Sequence, residues 1–267
     1  MTQKISTNQD APKIHIAETG DGSTTLYSDH FKQHYHNPNG AVAESRHVFF
    51  ETAEIPKMLA NGKNVSVIET GFGTGLNLIL MLDYLGKTES ASQIDYISIE
   101  AYPITPKQAS DLDFGENLEN LEPGRILHDV FSGLNPGWNR IDITEKLTLH
   151  LFVGFFKDLK EFPGAGKADF FFHDPFSPEA NPELWTKEVF QKLISKAAFD
   201  ARLVTYCAAS SARAAMATAG WHVARAPGAL GKREMTIASP DTGRLSQFKR
   251  VNEERLINRY EAGDFDR

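Results

Sequence analysis

Val65-Ser66-Val67-Ile68-Glu69-Thr70-Gly71-Phe72-Gly73-Thr74-Gly75-Leu76-Asn77 is the stretch on which the reading of the fold turns. A short apolar run closes on an acid, three alternating glycines follow, and an apolar, helix-like segment begins at Leu76. Strand, tight turn and helix is the order this pattern predicts. Glycines at 71, 73 and 75 permit positive φ and let backbone N–H groups approach a ligand, while the start of the helix behind them favours electron-rich groups. The spacing is G-x-G-x-G and not the G-x-G-x-x-G of dinucleotide sites, and no Lys-Ser or Lys-Thr follows as a phosphate-gripping loop requires. NAD and ATP are disfavoured on that ground.

S-adenosylmethionine fits the pattern. Glu69 at the strand end would meet the cationic methionine portion, and Glu100 closes the next apolar run, Ile94-Asp95-Tyr96-Ile97-Ser98-Ile99-Glu100. A carboxylate at the carboxyl end of a neighbouring parallel strand is placed to accept two ribose hydroxyls. Either acid alone would read equally well as an ordinary solvated strand end; together with the glycines they favour a cofactor site.

Further apolar runs at 147–153, 168–173 and 202–208 alternate with helix-length segments, which is the rhythm of a parallel α/β sheet. Two short runs near 221–224 and 233–238, joined by Ala226-Pro227-Gly228-Ala229-Leu230-Gly231, predict a terminal antiparallel hairpin. Pro103, Pro106, Pro123, Gly124, Pro136 and Gly137 predict an insertion of short helices over about 103–146. The expected fold is therefore a Rossmann-like, mostly parallel sheet of the class I S-adenosylmethionine-dependent methyltransferase type. The methyltransferase domain would span 61–240, preceded by a cap over 1–60 and followed by a basic tail over 241–267. Aromatics alternating with His and Asn in Tyr35-His36-Asn37-Pro38-Asn39-Gly40 suit a cap over the cofactor mouth.

A second motif carries the chemistry. After Asp169-Phe170-Phe171-Phe172-His173 come Asp174-Pro175-Phe176-Ser177-Pro178 and Asn181-Pro182-Glu183-Leu184-Trp185-Thr186. Prolines fix Asp174 at the end of a strand, where a doubly wound sheet opens its ligand crevice, and Phe176 or Trp185 offers a stacking face. The loop resembles the Asp/Asn-Pro-Pro-aromatic loop of methyltransferases that act on amino groups. An alkyl amine with a pKa near roughly 10.4 costs about 4 kcal/mol to deprotonate at neutral pH, and a nearby carboxylate can orient the N–H and take the proton. Without the glycine cradle, Asp174 would read equally well as a loop-capping residue.

The 267 residues suffice for one large domain, with or without an appendage. Cys207 is the one cysteine, which excludes an internal disulfide or thiolate metal site, and its strand Leu203-Val204-Thr205-Tyr206-Cys207 marks it as core. The polar start Thr2-Gln3-Lys4-Ile5-Ser6-Thr7-Asn8-Gln9-Asp10 lacks a signal core, and no run approaches membrane-span length, so a cytoplasmic protein with no membrane partner is expected. His34, His36 and His47 lack the companion spacing of a metal site, and no metal is expected. The oligomeric state is not written in the sequence.

Net charge is −7, yet residues 201–260 hold ten basic side chains against four acids, a local sum of +6. Such asymmetry suggests one face for a polyanion.

Taken in order, Tyr35-His36 with Gly40-Ala41, Glu44-Ser45-Arg46-His47-Val48-Phe49, the glycine motif through Asn77, the Asp174 loop through Thr186, and Gly231-Lys232-Arg233-Glu234-Met235 resemble a known family. The family is that of the methyltransferases completing 5-methylaminomethyl-2-thiouridine at the tRNA wobble position, MnmD-like enzymes or the methyltransferase half of the bifunctional MnmC. The resemblance runs from about Thr24 to Ala238. It implies methyl transfer from S-adenosylmethionine to the 5-aminomethyl nitrogen of uridine 34, with the anticodon region of tRNA as partner. Glu69, Gly71, Phe72, Gly73, Gly75, Asn77, Glu100 and Phe155 would contact the cofactor, and Asp174 the amine. Tyr35, Glu44, Ser45, Arg46, Phe176, Trp185, Lys232 and Arg233 would face the substrate. No second glycine-rich nucleotide motif follows, so a methyltransferase without an oxidoreductase domain is expected.

One departure stands out. Where the family has Gly-Asp for the adenine amine, this chain reads Val153-Gly154-Phe155-Phe156. Phe155 cannot accept that bond; it would stack on the base, or Asp158 or His128-Asp129 would substitute. An amine methyltransferase for a protein or small molecule, and a silent module binding S-adenosylmethionine or RNA, are the competing readings. Binding that falls steeply with salt would separate tRNA from other substrates, and binding without turnover would mark the silent module. A nicotinamide oxidoreductase ranks last.

Overall fold

The structure, a computed structural model, describes residues 13–88, 91–115, 118, 121–164 and 166–265; the polar start of the chain lies outside them. The described chain opens with β1 (Ile14–Glu18), β2 (Thr24–Ser28) and β3 (Gln33–His34), an antiparallel sheet in the order β1-β2-β3. Asp21 nucleates its first turn, taking hydrogen bonds from the hydroxyls of Thr19 (2.6 Å) and Ser23 (2.5 Å). The sequence predicts a cap here but not a sheet, because the strands are only five, five and two residues long. α1 (Ala41–Ser45) runs into a π-helical segment over Arg46–Glu51 and then α2 (Ile55–Ala60).

The glycine motif folds as strand, turn and helix: β4 (Val65–Thr70), then α3 (Leu76–Lys87). There follow β5 (Ile94–Glu100), α4 (Pro106–Ser110), α5 (Pro123–Phe131), β6 (Gly137–Thr144), β7 (Leu147–Val153), β8 (Ala168–His173), α6 (Lys187–Ile194) and β9 (Ala197–Thr205). The chain then forms α7 (Ser210–Thr218), β10 (His222–Pro227), β11 (Glu234–Ser239), β12 (Lys249–Arg250) and α8 (Glu253–Glu261). Nine strands make the main sheet, in the order β12-β10-β11-β9-β8-β4-β5-β7-β6. The central run β9-β8-β4-β5-β7 is parallel, and antiparallel pairs flank it on both sides.

Two expectations are corrected. The segment 103–146 is not helical throughout: its second part is β6, whose strictly alternating half-exposed and exposed residues fit an edge strand. Proline and glycine near 136 punctuate the entry to a strand as readily as a helix end. Residues 241–265 are also not a free tail, since β12 pairs with β10 and α8 packs on α7. The terminal hairpin is present as β10 and β11, with β11 lying against β9.

Burial on both faces explains the continuous apolar runs of the parallel strands. In β8, Phe170 and Phe172 enter the core beneath α3, while Phe171 enters the core beneath α6 and α7. β4 lies between β5 and β8, so the chain leaves β4 toward one neighbour and later returns to the other. That reversal opens a crevice at the strands' carboxyl ends.

Candidate active site

The crevice is a cavity of about 1040 Å³, at the large end of the roughly 300–1000 Å³ typical of ligand sites. Three strand ends supply its chemistry: Thr70, which closes β4, with Gly71–Gly73 after it, Glu100 at the end of β5, and Asp174 after β8. Gly71 has φ +90, and a Cβ there would meet the Asp174 carbonyl oxygen at 2.7 Å. The glycine therefore lets the β4 and β8 loops touch. The N–H of Gly73 donates to Glu100 Oε2 (2.8 Å) and that of Tyr102 to Oε1 (2.7 Å), so one carboxylate ties the β5 end to the glycine loop. Burial pushes the Glu100 carboxyl up, and these backbone donors oppose the shift.

Asn77, in the first turn of α3, links two acids. Its Nδ2 donates to Glu69 Oε1 (2.9 Å) and to Asp174 Oδ2 (3.3 Å), while its Oδ1 is buried without a partner among the described residues. Ser98 Oγ donates to Glu69 Oε2 (2.7 Å). Burial pushes Glu69 up to about 7, against the pull of these hydrogen bonds. Asp174 lies well above the ordinary carboxylate range, first through burial, then through the charges of Glu69 and Glu44, with Lys232 and Asn77 pulling the other way.

The remaining wall comes from distant segments. Glu44 accepts from the Asn37 backbone N–H (3.1 Å), from Asn37 Nδ2 (3.2 Å) and from Lys232 Nζ (2.7 Å). Tyr206, just past β9, donates its hydroxyl to the Pro175 carbonyl (2.8 Å), and Lys232 Nζ lies 5.4 Å from the centre of its ring. Phe155 lines the cavity with 43 % of its surface exposed; the Tyr102 ring meets it edge-on at 5.6 Å, and Lys157 Nζ lies 5.3 Å from its centre.

Of the residues singled out from sequence, Gly71, Phe72, Gly73, Asn77, Glu100, Phe155, Tyr35, Glu44, Ser45, Asp174, Phe176 and Lys232 line this one cavity. Five do not. Glu69 is 1 % exposed and stands behind the wall, holding Asn77. Gly75 is the left-handed residue before α3, packed where a Cβ would strike Leu127. Arg46 turns away to pair with Asp83 (2.8 Å) and lie over Tyr84. Trp185 is core, edge-on to His173, with its indole N–H donating to the Phe176 carbonyl (2.8 Å), so it supports the loop and offers no stacking face. Arg233 is exposed outside the cavity.

Asp158, His128 and Asp129 are exposed and outside the cavity, so none replaces an acid at Phe155. The basic last third is largely neutralised: Arg202, Arg213, Arg225, Lys232, Arg244, Arg250 and Arg259 pair with Glu54, Glu234, Glu234, Glu44, Asp200, Glu253 and Asp264 respectively. Arg233, Lys249 and Arg255 are exposed. Cys207 is buried, and burial pushes its thiol up to about 11, as befits core.

Tyr206, Asn37 and Gln33 were missed. Tyr206 was findable, because it follows an apolar strand at the same sheet edge as Asp174; Asn37 and Gln33 reach the site only through tertiary contacts.

A family model described as S-adenosyl-L-methionine-dependent methyltransferase matches residues 123–241. The crystal structure of MnmC2 from Aquifex aeolicus superposes with a TM-score of 0.71 at 28 % identity, covering 94 % of this chain and 77 % of that one. The chain is an S-adenosyl-L-methionine-dependent methyltransferase. Its resemblance to the methyltransferase part of MnmC is borne out by curated relatives. The tRNA 5-methylaminomethyl-2-thiouridine biosynthesis bifunctional protein MnmC of Cupriavidus necator is 32 % identical over 216 residues, 80 % of this chain and 32 % of that protein. Its namesake in Leptospira borgpetersenii is 31 % identical over 238 residues, 87 % of this chain and 35 % of that protein. The methyltransferase thus spans about a third of the length of these relatives.

The residues present fit the cofactor. A glycine loop lining the cavity at Gly71 and Gly73, a buried acceptor at Asn77 Oδ1 without a partner among the described residues and a carboxylate at the β5 end are the complement of a ligand with a cationic amino-acid end and a ribose. Among the described residues there is no helix long and apolar enough to cross a membrane and no cluster of His, Cys, Asp or Glu suited to a metal ion.

Proposed function

We propose that this methyltransferase acts on the 5-aminomethyl nitrogen of uridine 34 in the anticodon region of tRNA, in the cytoplasm, giving 5-methylaminomethyl-(2-thio)uridine. The observation that carries the reading is Asp174: a desolvated carboxylate at the end of β8, facing the cavity, touching the glycine loop and held by Asn77. The similarity to MnmC supplies the substrate class.

Bound S-adenosylmethionine supplies an electrophilic methyl group on a sulfonium. Gly71, Gly73, Asn77 and Glu100 would hold it, with Phe155 as a flat face for the base. Asp174 would accept one proton from the substrate ammonium before transfer, keep it, and orient the lone pair so freed; the nitrogen then gains its methyl and leaves as a secondary ammonium. In the empty site, burial and the charges of Glu69 and Glu44 keep Asp174 protonated above the usual carboxylate range. Two cations entering, the sulfonium and the substrate ammonium, favour its ionised form. The rate at low substrate should therefore climb with pH through the raised Asp174 titration, since only the carboxylate can accept.

Purified protein with S-adenosylmethionine and tRNA from cells lacking this methylation tests the reading, with wobble nucleosides quantified by mass spectrometry. Conversion of aminomethyl- to methylaminomethyl-uridine is expected. No conversion despite cofactor binding would overturn it. The pairing of seven of the ten basic side chains favours one rival, a smaller amine lacking phosphates. Substrate binding indifferent to salt would support that rival.

A further inference from the structure

Three alternate residues of the N-terminal cap touch the loop that carries Asp174. The Phe31 ring stacks on Phe176 with centroids 4.3 Å apart and planes inclined by 23°. Gln33 grips Ser177 with both ends of its amide: Nε2 donates to Ser177 Oγ (2.7 Å), and the Ser177 backbone N–H donates to Oε1 (3.2 Å). Tyr35 meets Phe176 edge-on at 5.0 Å and lies over Gly73, where a Cβ would come within 3.2 Å of its ring. Gln33 lies in β3, and the turn before it, with Lys32 at φ +53, and the bend after it bring Phe31 and Tyr35 against the same loop, so residues 31, 33 and 35 form one contact surface. It spans the catalytic loop and the cofactor loop together.

The loop is held from the other side as well. Tyr206 donates to the Pro175 carbonyl and Trp185 to the Phe176 carbonyl, while the Asp174 N–H donates to Thr70 O (2.9 Å). Among the described residues, the direct side-chain hydrogen bonds between the cap strand and this loop are those of Gln33. We propose that the cap strand is a clamp that sets the position of Asp174 relative to the glycine loop, with Gln33 as its positioning residue. Gln33 acts through Ser177 and need not touch the amine. A carboxylate displaced by about 1 Å can lose on the order of a hundredfold in rate, because alignment supplies much of the catalysis. The cap thereby couples closure over the cavity to competence of the loop: when the cap lifts, the catalytic loop loses one of its two sides.

The inference rests on the amine-methyltransferase reading for its kinetic arm, and hydrogen exchange provides an arm that does not. In Gln33→Ala, the Ser177 amide should exchange at least about tenfold faster, and the Asp174 amide should follow it, while amides of β4 away from the loop keep their rates. Calorimetric affinity for S-adenosylhomocysteine should stay within about threefold, and kcat should fall by about tenfold or more with KM little changed. Ser177→Ala, which keeps the backbone N–H bond to Gln33 Oε1, should do less, and Gln33→Ala/Ser177→Ala should be no worse than Gln33→Ala, which already breaks both hydrogen bonds. Gln33→Glu, which can accept from both Ser177 groups, should restore protection of the loop. Unchanged exchange at Asp174, or effects that simply add in the double variant, would overturn the clamp. Absence of turnover in the wild-type protein would instead overturn the substrate reading and leave the exchange result to decide the clamp.

Discussion

The wall of the cavity proposed to hold the cofactor comes, apart from Phe155, from one contiguous βαβ unit, Val65 to Glu100, whereas the wall proposed to act on the amine is assembled from segments around residues 33–44, 174–177, 206 and 232. In the first, backbone geometry does the work: positive φ at Gly71 and Gly73, and a carboxylate tied by two main-chain N–H groups. In the second, side chains from far apart do it: Gln33 to Ser177, Lys232 to Glu44, Tyr206 to Pro175. A wall made of local backbone tolerates changes among its side chains but not an added Cβ. A wall made of long-range polar contacts should show the reverse.

Asp174→Asn strikes the reactive wall hardest. The Asn77 hydrogen bond can persist while the proton acceptor is lost, so kcat should fall by about a thousandfold, within the span of general-base contributions. Affinity for S-adenosylhomocysteine, measured by calorimetry, should hold within about twofold if the two walls are separable; a parallel loss of binding would break the comparison.

Glu69→Gln probes the link between the walls. The Glu69 carboxyl sits at about 7 in the folded protein against an ordinary 4.5, so the folded state keeps a proton that the unfolded chain releases. The cost is absent below pH 4.5, grows as pH rises toward 7 and is complete above it. The substituted protein should gain on the wild type over that window by up to ~3 kcal/mol in denaturant unfolding at successive pH values. A stability difference flat with pH would show that Glu69 carries no such burden.

Gly71→Ala attacks the backbone wall. A left-handed φ costs an L-residue about 1–2 kcal/mol, and the new methyl faces the Asp174 carbonyl, a backbone atom that cannot swing away. A fall in Tm of about 5 °C, together with weaker binding of S-adenosylhomocysteine, is expected; a neutral result would mean the two loops can separate freely. Phe155→Ala should do least. Loss of one aromatic face under a base is worth about 1–3 kcal/mol, so affinity for S-adenosylhomocysteine should drop by about fivefold to tenfold at the gentle end of that range. No change at all would remove Phe155 from the cofactor wall.

The same division governed what could be read in advance. The glycine motif, Glu100 and the Asp174 loop were legible because strand end, turn and acid lie within a few residues, and the parallel-sheet rhythm placed all three at one edge. Trp185 misled, since a Trp after a proline-rich loop looks the same whether it faces a ligand or, as here, packs on His173 and Phe190 in the core. Arg46 misled because its partner Asp83 lies across a tertiary contact. The charge of the last third was counted correctly, but a count cannot show that Arg202 and Arg213 are buried and engaged.

The ion pair between Glu44 and Lys232 joins positions 188 residues apart. During synthesis, the first partner leaves the ribosome long before the second exists, and closing so long a loop must await most of the sheet. The βαβ unit proposed to cradle the cofactor can form from residues already made, whereas Asp174 meets Tyr206 and Lys232 only once the chain has been made through residue 232. The nascent chain thus gains the means to hold a methyl donor before it gains the arrangement that would spend it.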